Sequence, residues 1–286
     1  MVTTISACSP IALLNVSSSS SHYDKTENVA YGDGPRQQLD VYKPNTTVDA
    51  APMVIFFYGG GWRDGDKADY EFVASALTEA GIVVVVPDYR LFPDITFPAF
   101  VEDGAMAVNW ALDNAERLGV DRSQVFAMGH SAGAHIAALL VLDKRYLSSQ
   151  NFGGQPFAGL IGLSGPYDFL PLQNGYLQDV FPQALRDASQ PINFVTTDAP
   201  TTLLIHGTDD TTVLPKNSHN LAEKLQAQGV QTTLKFYDDV GHARVVAALA
   251  PKLQFLASTM NDTKEFILRE SGEAAHMDKM ALESGN

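Results

Sequence analysis

Val125-Phe126-Ala127-Met128-Gly129-His130-Ser131-Ala132-Gly133-Ala134, running on to Leu142, is the stretch that decides the fold. Its first four residues are apolar on both faces, the mark of a strand buried inside a parallel sheet. From Ala134 to Leu142 the pattern suits a helix. Between them stands G-x-S-x-G, Gly129 to Gly133. A strand, a sharp turn and a helix are what a nucleophile elbow requires, and its glycines are needed because Cβ atoms would collide with neighbouring backbone. Such a turn lifts the Ser131 hydroxyl over the sheet edge, beside the positive end of the following helix.

Working outward, the same rhythm extends in both directions. Met53–Phe57, Ile82–Val86, Leu160–Leu163 and Leu203–Ile205 read as further buried strands, and Thr232–Tyr237 alternates as a strand nearer an edge should. Helical patterns lie between them. One opens at Pro98 with Phe100, Val101, Ala105, Val108, Ala111 and Leu112 on one face, and another runs from Pro215 to a stop at Gly229. Strands alternating with helices predict an α/β architecture: a mainly parallel central sheet flanked by helices. Pro166 to Pro200 breaks the rhythm, with five prolines among Tyr167, Phe169, Tyr176, Phe181 and Phe194, and reads as an insertion that caps a binding site. The predicted organisation is an N-terminal extension over 1–24, a catalytic domain over 25–270 with its cap near 166–200, and a tail over 271–286.

The chain has 286 residues, 45% of them hydrophobic, and a formal net charge of −14. That acidity opposes nucleic acid and anionic lipid surfaces as partners. No apolar run reaches the ~18–20 residues of a membrane-spanning helix. Cys8 is the one cysteine, so neither an intrachain disulfide nor a thiolate metal cluster can form. The small residues before Cys8 and the serines Ser17–Ser21 resemble the lipidation site of a bacterial lipoprotein. That reading expects a lipid anchor and a periplasmic or membrane-held protein; a plain N-terminal extension expects a cytoplasmic one. No metal-ligand spacing, dinucleotide fingerprint or P-loop occurs, so no metal and no cofactor are expected.

A serine needs a base to become a nucleophile, and the base needs an orienting carboxylate. With an elbow of this kind the chain order is serine, acid, histidine. Asp209 and Asp210 follow the strand Leu203–Ile205, and both qualify as the acid. His242 follows the last strand and precedes a helix, which selects it as the base; His22, His135, His206 and His276 read as structural or surface residues. Tyr58-Gly59-Gly60-Gly61-Trp62 follows the strand ending at Phe57, where backbone without side chains can turn its N–H groups toward a developing oxyanion. The Ala132 N–H would be the remaining donor. Arg90, Glu102 and Asp103 read as a structural ion-pair group that holds the loop after the fourth strand against the next helix.

These residues resemble the α/β-hydrolases of the hormone-sensitive-lipase-like and related bacterial carboxylesterase families. The resemblance runs from about Val41 to Phe266 and includes Asp88-Tyr89-Arg90-Leu91-Phe92-Pro93, Phe97-Pro98-Ala99, Glu102-Asp103, the Gly129 elbow with Ala134, and His206-Gly207. It implies an α/β-hydrolase fold and cleavage of small to medium acyl esters through an acyl-serine. Residue by residue it implies Ser131 as nucleophile, Asp210 rather than Asp209 as acid, His242 as base, and oxyanion donors on Gly60, Gly61 and Ala132. Tyr58 stands where the family usually carries His. An aryl-formamide hydrolase would use the same residues, and a non-catalytic binding module is the reading from another class. Tyr58, Trp62, Tyr176 and Phe181 are the expected pocket residues, and a small-molecule ester the expected partner.

Overall fold

The computed structural model describes residues 11, 14–15, 20–46, 50–150, 154–173 and 175–272. Cys8 and His276 lie outside the described residues, as do most of the 1–24 and 271–286 segments. Eight strands form one sheet: β1 (Tyr23–Ala30), β2 (Gln38–Pro44), β3 (Ala51–Phe57), β4 (Val83–Pro87), β5 (Val120–His130), β6 (Gly159–Leu163), β7 (Thr201–Gly207) and β8 (Thr232–Tyr237). Their spatial order is β1-β2-β4-β3-β5-β6-β7-β8. β1 and β2 pair antiparallel, as do β2 and β4, and every other pairing is parallel.

β3, β4, β6 and the Val125–Met128 part of β5 are apolar on both faces because helices cover both sides of the sheet. The main helices are α1 (Glu71–Glu79), α2 (Ala99–Asp113), α4 (Ala132–Leu142), α7 (Lys216–Ala227) and α9 (Thr259–Glu270). Short helices α3 (Ala115–Leu118), α5 (Lys144–Ser148), α6 (Gly175–Val180) and α8 (His242–Ala247) fill the connections. Every residue of α4 is buried, as its uninterrupted apolar sequence demands. β8 sits at the edge and is only partly buried. Gly229 ends the α7 turn in the left-handed region, φ +78°, the usual glycine stop.

The sheet order positions the site. The chain leaves β3, forms β4 on one side, and then crosses β3 to lay down β5 on the other. That reversal opens a crevice at the carboxyl ends of β3 and β5, where Phe57 is paired with Gly129. The loop after β3 and the turn after β5 therefore meet.

At the N-terminus the structure corrects the expected boundary. β1 begins at Tyr23, inside the span 1–24 assigned to an extension. Asn15 is also tied to the domain, its side chain donating to Ala68 O and accepting from Phe72 N. The polar alternation of β1 exposes most of one face and left no apolar run to read. Between β6 and β7 the insertion folds as α6 and a series of short 3₁₀ turns, Gln183–Leu185, Asp187–Ser189 and Pro191–Phe194.

Candidate active site

The turn after β5 is as tight as its glycines suggest. A Cβ on Gly129 would stand 2.3 Å from Gly133 O, and one on Gly133 would stand 2.0 Å from Phe57 O. Neither contact is tolerable, so both positions are closed to any side chain. Ser131 sits between them at φ 55°, ψ −123°, a region that costs a non-glycine residue on the order of 1–3 kcal/mol. Its N–H donates to Leu163 O at 2.9 Å and its carbonyl accepts from His135 N at 3.1 Å. The strain presents the hydroxyl at the head of α4, where Ala132 offers an N–H that the helix itself cannot satisfy.

The hydroxyl meets His242. Ser131 Oγ lies 2.9 Å from His242 Nε2, and His242 Nδ1 lies 2.7 Å from Asp210 Oδ2. His242 opens α8, just after β8, while Asp210 follows β7, so three strand ends supply one hydrogen-bonded chain. Asp210 is buried and Asp209 is exposed. The Asp210 Oδ1 accepts from the N–H groups of Thr212 and Val213, each at 2.9 Å. Burial alone would raise this carboxyl, but bonds from His206 and His242, the charge of His242 and the backbone donors outweigh it and hold it well below the usual carboxylate range. Asp210 is thus an anion at any working pH.

His206 is buried, its Nδ1 2.7 Å from Ser218 Oγ and its Nε2 2.8 Å from Val213 O and 3.2 Å from Asp210 Oδ2. It braces the acid. His130 stands beside His242, ring centroids 4.7 Å apart, with its Nε2–H donating to His242 O at 3.2 Å. Burial, reinforced by the neighbouring His242, pushes His130 down to about 3 and keeps it neutral. Neither brace was assigned a role from sequence. His130 is the last residue of β5 and His206 the last but one of β7, and that place at a strand end was the signal the sequence held.

Gly60 and Gly61 have φ of +146° and +61°. A Cβ on Gly60 would come within 1.9 Å of Asp64 O, because the loop folds back so that Arg63 N and Asp64 N both donate to Gly60 O. The loop lies along one wall of a cavity of about 940 Å³, which Ser131 and His242 also line. The opposite wall comes from the insertion, through Pro166, Phe169, Leu170, Pro171, Tyr176 and Leu177. Ile11, Arg63 and Lys216 also line it and carried no signal in the sequence.

Two of the four expected pocket residues line this cavity, and two do not. Trp62 and Tyr176 do. Tyr58 is fully buried behind the loop, stacked between Tyr70 and Tyr89 with its hydroxyl on Asp88. Phe181 is fully buried among Trp62, Phe97, Phe100, His135 and Phe169. Both support the walls from behind: the Phe181 ring has no polar atom to keep it at a surface, and the Tyr58 hydroxyl finds its partner inside, on Asp88. The Arg90 guanidinium pairs with the fully buried Asp103 at 2.8 Å, while Glu102 stays exposed. The structural reading of the first pair holds, and Glu102 takes no part in it.

Sheet order, elbow and strand-end constellation together define an α/β-hydrolase. The chain belongs to the BD-FAE family, an esterase family of that fold, whose model matches residues 39–225. It is 29% identical over 238 residues to a probable isoprenylcysteine alpha-carbonyl methylesterase of Arabidopsis thaliana, covering 75% of this chain and 50% of that protein. It is 33% identical over 152 residues to a kynurenine formamidase of Salmo salar, covering 53% and 49%. The chain spans about half the length of these curated relatives. A truncated carbohydrate esterase from gut microbiota superposes with a TM-score of 0.77 at 22% identity, over 89% of this chain and 99% of that one. That likeness speaks for the fold.

Proposed function

We propose that this protein is a serine carboxylesterase that cleaves small to medium acyl esters through an acyl-serine intermediate. The observation that carries the reading is the unbroken chain Ser131 Oγ, His242 Nε2, His242 Nδ1, Asp210 Oδ2, at 2.9 and 2.7 Å, opening on a largely apolar cavity. Ser131 attacks the ester carbonyl while His242 takes its proton. Asp210 holds the ring in the tautomer that leaves Nε2 free to accept and offsets the imidazolium charge as it forms. The N–H groups of Gly60, Gly61 and Ala132 receive the oxyanion. His242 then returns the proton to the departing alcohol, and water repeats the sequence on the acyl-enzyme.

The catalytic unit runs from β1, which opens at Tyr23, to about residue 270, and the insertion near 166–200 acts as its cap. A mostly apolar wall of leucine, proline and aromatic side chains suits an acyl chain or an aryl leaving group. One observation favours a second reading: a kynurenine formamidase is among the relatives, and an aryl formamide would pass through the same tetrahedral intermediate. Both substrates belong in one assay. Purified protein is given nitrophenyl esters of graded acyl length and an aryl formamide. Turnover of short and medium esters above the formamide supports the esterase reading, and the reverse order supports the formamidase. Turnover of neither, with the protein folded, overturns both and favours a binding module.

A further inference from the structure

Asp88, which opens the quoted Asp88–Pro93 motif, and Tyr58, where the family usually carries His, have no part in the chemistry above, yet they meet beneath the glycine loop. The Tyr58 hydroxyl donates to Asp88 Oδ1 at 2.6 Å, and Lys67 N donates to the same oxygen at 2.9 Å. One group joins them to the far side of the loop. Arg36 Nη2 lies 2.7 Å from the Tyr58 hydroxyl, 2.8 Å from Gly65 O and 3.2 Å from Asp88 Oδ1, while its Nε donates to Tyr89 O at 2.9 Å. Arg36 comes from the connection between β1 and β2 and falls just outside the 39–225 stretch that carries the family match.

We propose that Arg36, acting through Tyr58 and Asp88, is a positioning residue that fixes both ends of the loop from Gly59 to Gly65 and thereby sets the aim of the Gly60 and Gly61 N–H groups. This rests on the oxyanion role given to that loop above. The loop entrance is Tyr58, whose ring is stacked between Tyr70 and Tyr89 and whose carbonyl accepts from the Tyr89 hydroxyl at 2.8 Å. Its exit is Gly65, at φ +107°, where a Cβ would meet Gly59 O and the Tyr58 ring, each at 2.8 Å. The guanidinium serves a phenol, a carboxylate and two carbonyls from one side, with Nε on the Tyr89 carbonyl and Nη2 shared among the other three. The groups that Arg36 holds are buried, with the Tyr58 side chain inaccessible and the Asp88 side chain 7% exposed, while the Arg36 side chain itself is 30% exposed. Losing a member therefore leaves polar groups unpaired under the loop and frees its backbone to move. Misaimed N–H groups weaken the transition state far more than the bound substrate, so the loss falls on kcat.

The test combines steady-state kinetics with hydrogen–deuterium exchange on Arg36→Ala and Tyr58→Phe. Arg36→Ala lowers kcat about 10–100-fold, a fraction of what deleting one oxyanion donor costs, and changes KM less than about twofold. Added guanidinium restores part of the lost rate, because it refills the vacated cavity. Tyr58→Phe, which keeps the ring and folds even if Arg36→Ala does not, lowers kcat about 3–10-fold by the same reasoning. In both, the amides of 59–65 exchange faster while those of β3 and β4 stay protected. Unchanged kcat and unchanged loop exchange in a folded variant overturn the proposal, as does a fall in melting temperature with kcat intact. If the wild-type protein turns over no ester or formamide, the activity reading falls while the exchange comparison still judges the clamp.

Discussion

The two walls of the cavity are built on different principles. The wall formed by the glycine loop and the elbow is set by backbone: Gly60, Gly129 and Gly133 each stand where a Cβ would enter another main-chain atom. The opposite wall, from Pro166 to Pro200, is short helix and 3₁₀ turns packed by apolar side chains, with Asn217 and Gln190 holding the backbone at Tyr167, Asp168 and Phe169. Backbone contacts at 2 Å admit one residue type, whereas apolar contacts admit many of similar volume. His135 joins the walls. Its Nδ1 accepts from Trp62 Nε1 at 3.3 Å on the loop side, and its Nε2–H donates to Ser189 O at 2.7 Å on the insertion side. On the proposed reading, chemistry depends on the first wall and selectivity on the second.

The largest effect expected from this division is at the strand ends. Ser131→Ala lowers kcat by about 10⁵–10⁶-fold with the fold intact, and Asp210→Asn by about 10³–10⁴-fold. Asp209→Asn changes kcat less than about threefold, because exposed Asp209 touches nothing in the chain of bonds. Steady-state kinetics on the three variants decides it, and a greater loss from Asp209→Asn would reassign the acid.

Next comes a contrast between glycines. Gly133→Ala costs more than about 3 kcal/mol or prevents folding, since its Cβ has no room beside Phe57 O. Gly175→Ala, in the insertion with nothing within 4 Å, costs nothing and gains up to about 1 kcal/mol from helix propensity. Denaturant titration compares them. Equal costs would erase the distinction between the walls.

Acid tests the joint. Burial pushes His135 down to about 4 and His130 down to about 3. In the unfolded chain both take up a proton near pH 6.5, so each withdraws stability as pH falls below that value, about 2 kcal/mol apiece by pH 5. Asp210, depressed in the folded state, adds a loss of the same sign only below about pH 4. Chemical denaturation at pH 7.5 and pH 5 reads the difference, and His135→Gln reduces it by about 2 kcal/mol. A wild-type stability that is flat across this window would contradict the buried neutral assignment.

The smallest effect belongs to the second wall. Tyr176→Ala opens the cavity beside Gly61 and shifts the preferred acyl length upward, with the best kcat/KM changed less than about tenfold, the scale of a side-chain contact. An unchanged profile would remove Tyr176 from selectivity.

The same division explains what the sequence disclosed. Gly129, Ser131, Gly133 and the Gly59–Gly61 run were readable because strained or crowded backbone forces residue identity. The order Ser131, Asp210, His242 was readable because successive strand ends carry it. Tyr58 and Phe181 were placed in the pocket because burial behind a wall and exposure on it demand the same ring. β1 was missed because its polar alternation resembles a loop. Arg36 gave no signal at all: it reaches Tyr58 across 22 positions through side-chain geometry that no local pattern encodes. His135 was rightly taken as structural, yet nothing in the sequence said which two segments it ties.

The most direct measurement is covalent. A serine-directed fluorophosphonate is incubated with the wild-type protein, Ser131→Ala and His242→Ala, and the digests are mapped by mass spectrometry. The account predicts one modified peptide in the wild type, carrying the phosphonyl group on Ser131, none in Ser131→Ala, and labelling slowed by at least about 10³-fold in His242→Ala, where the hydroxyl has lost its base. Labelling at another serine, or equal labelling with and without His242, would contradict it.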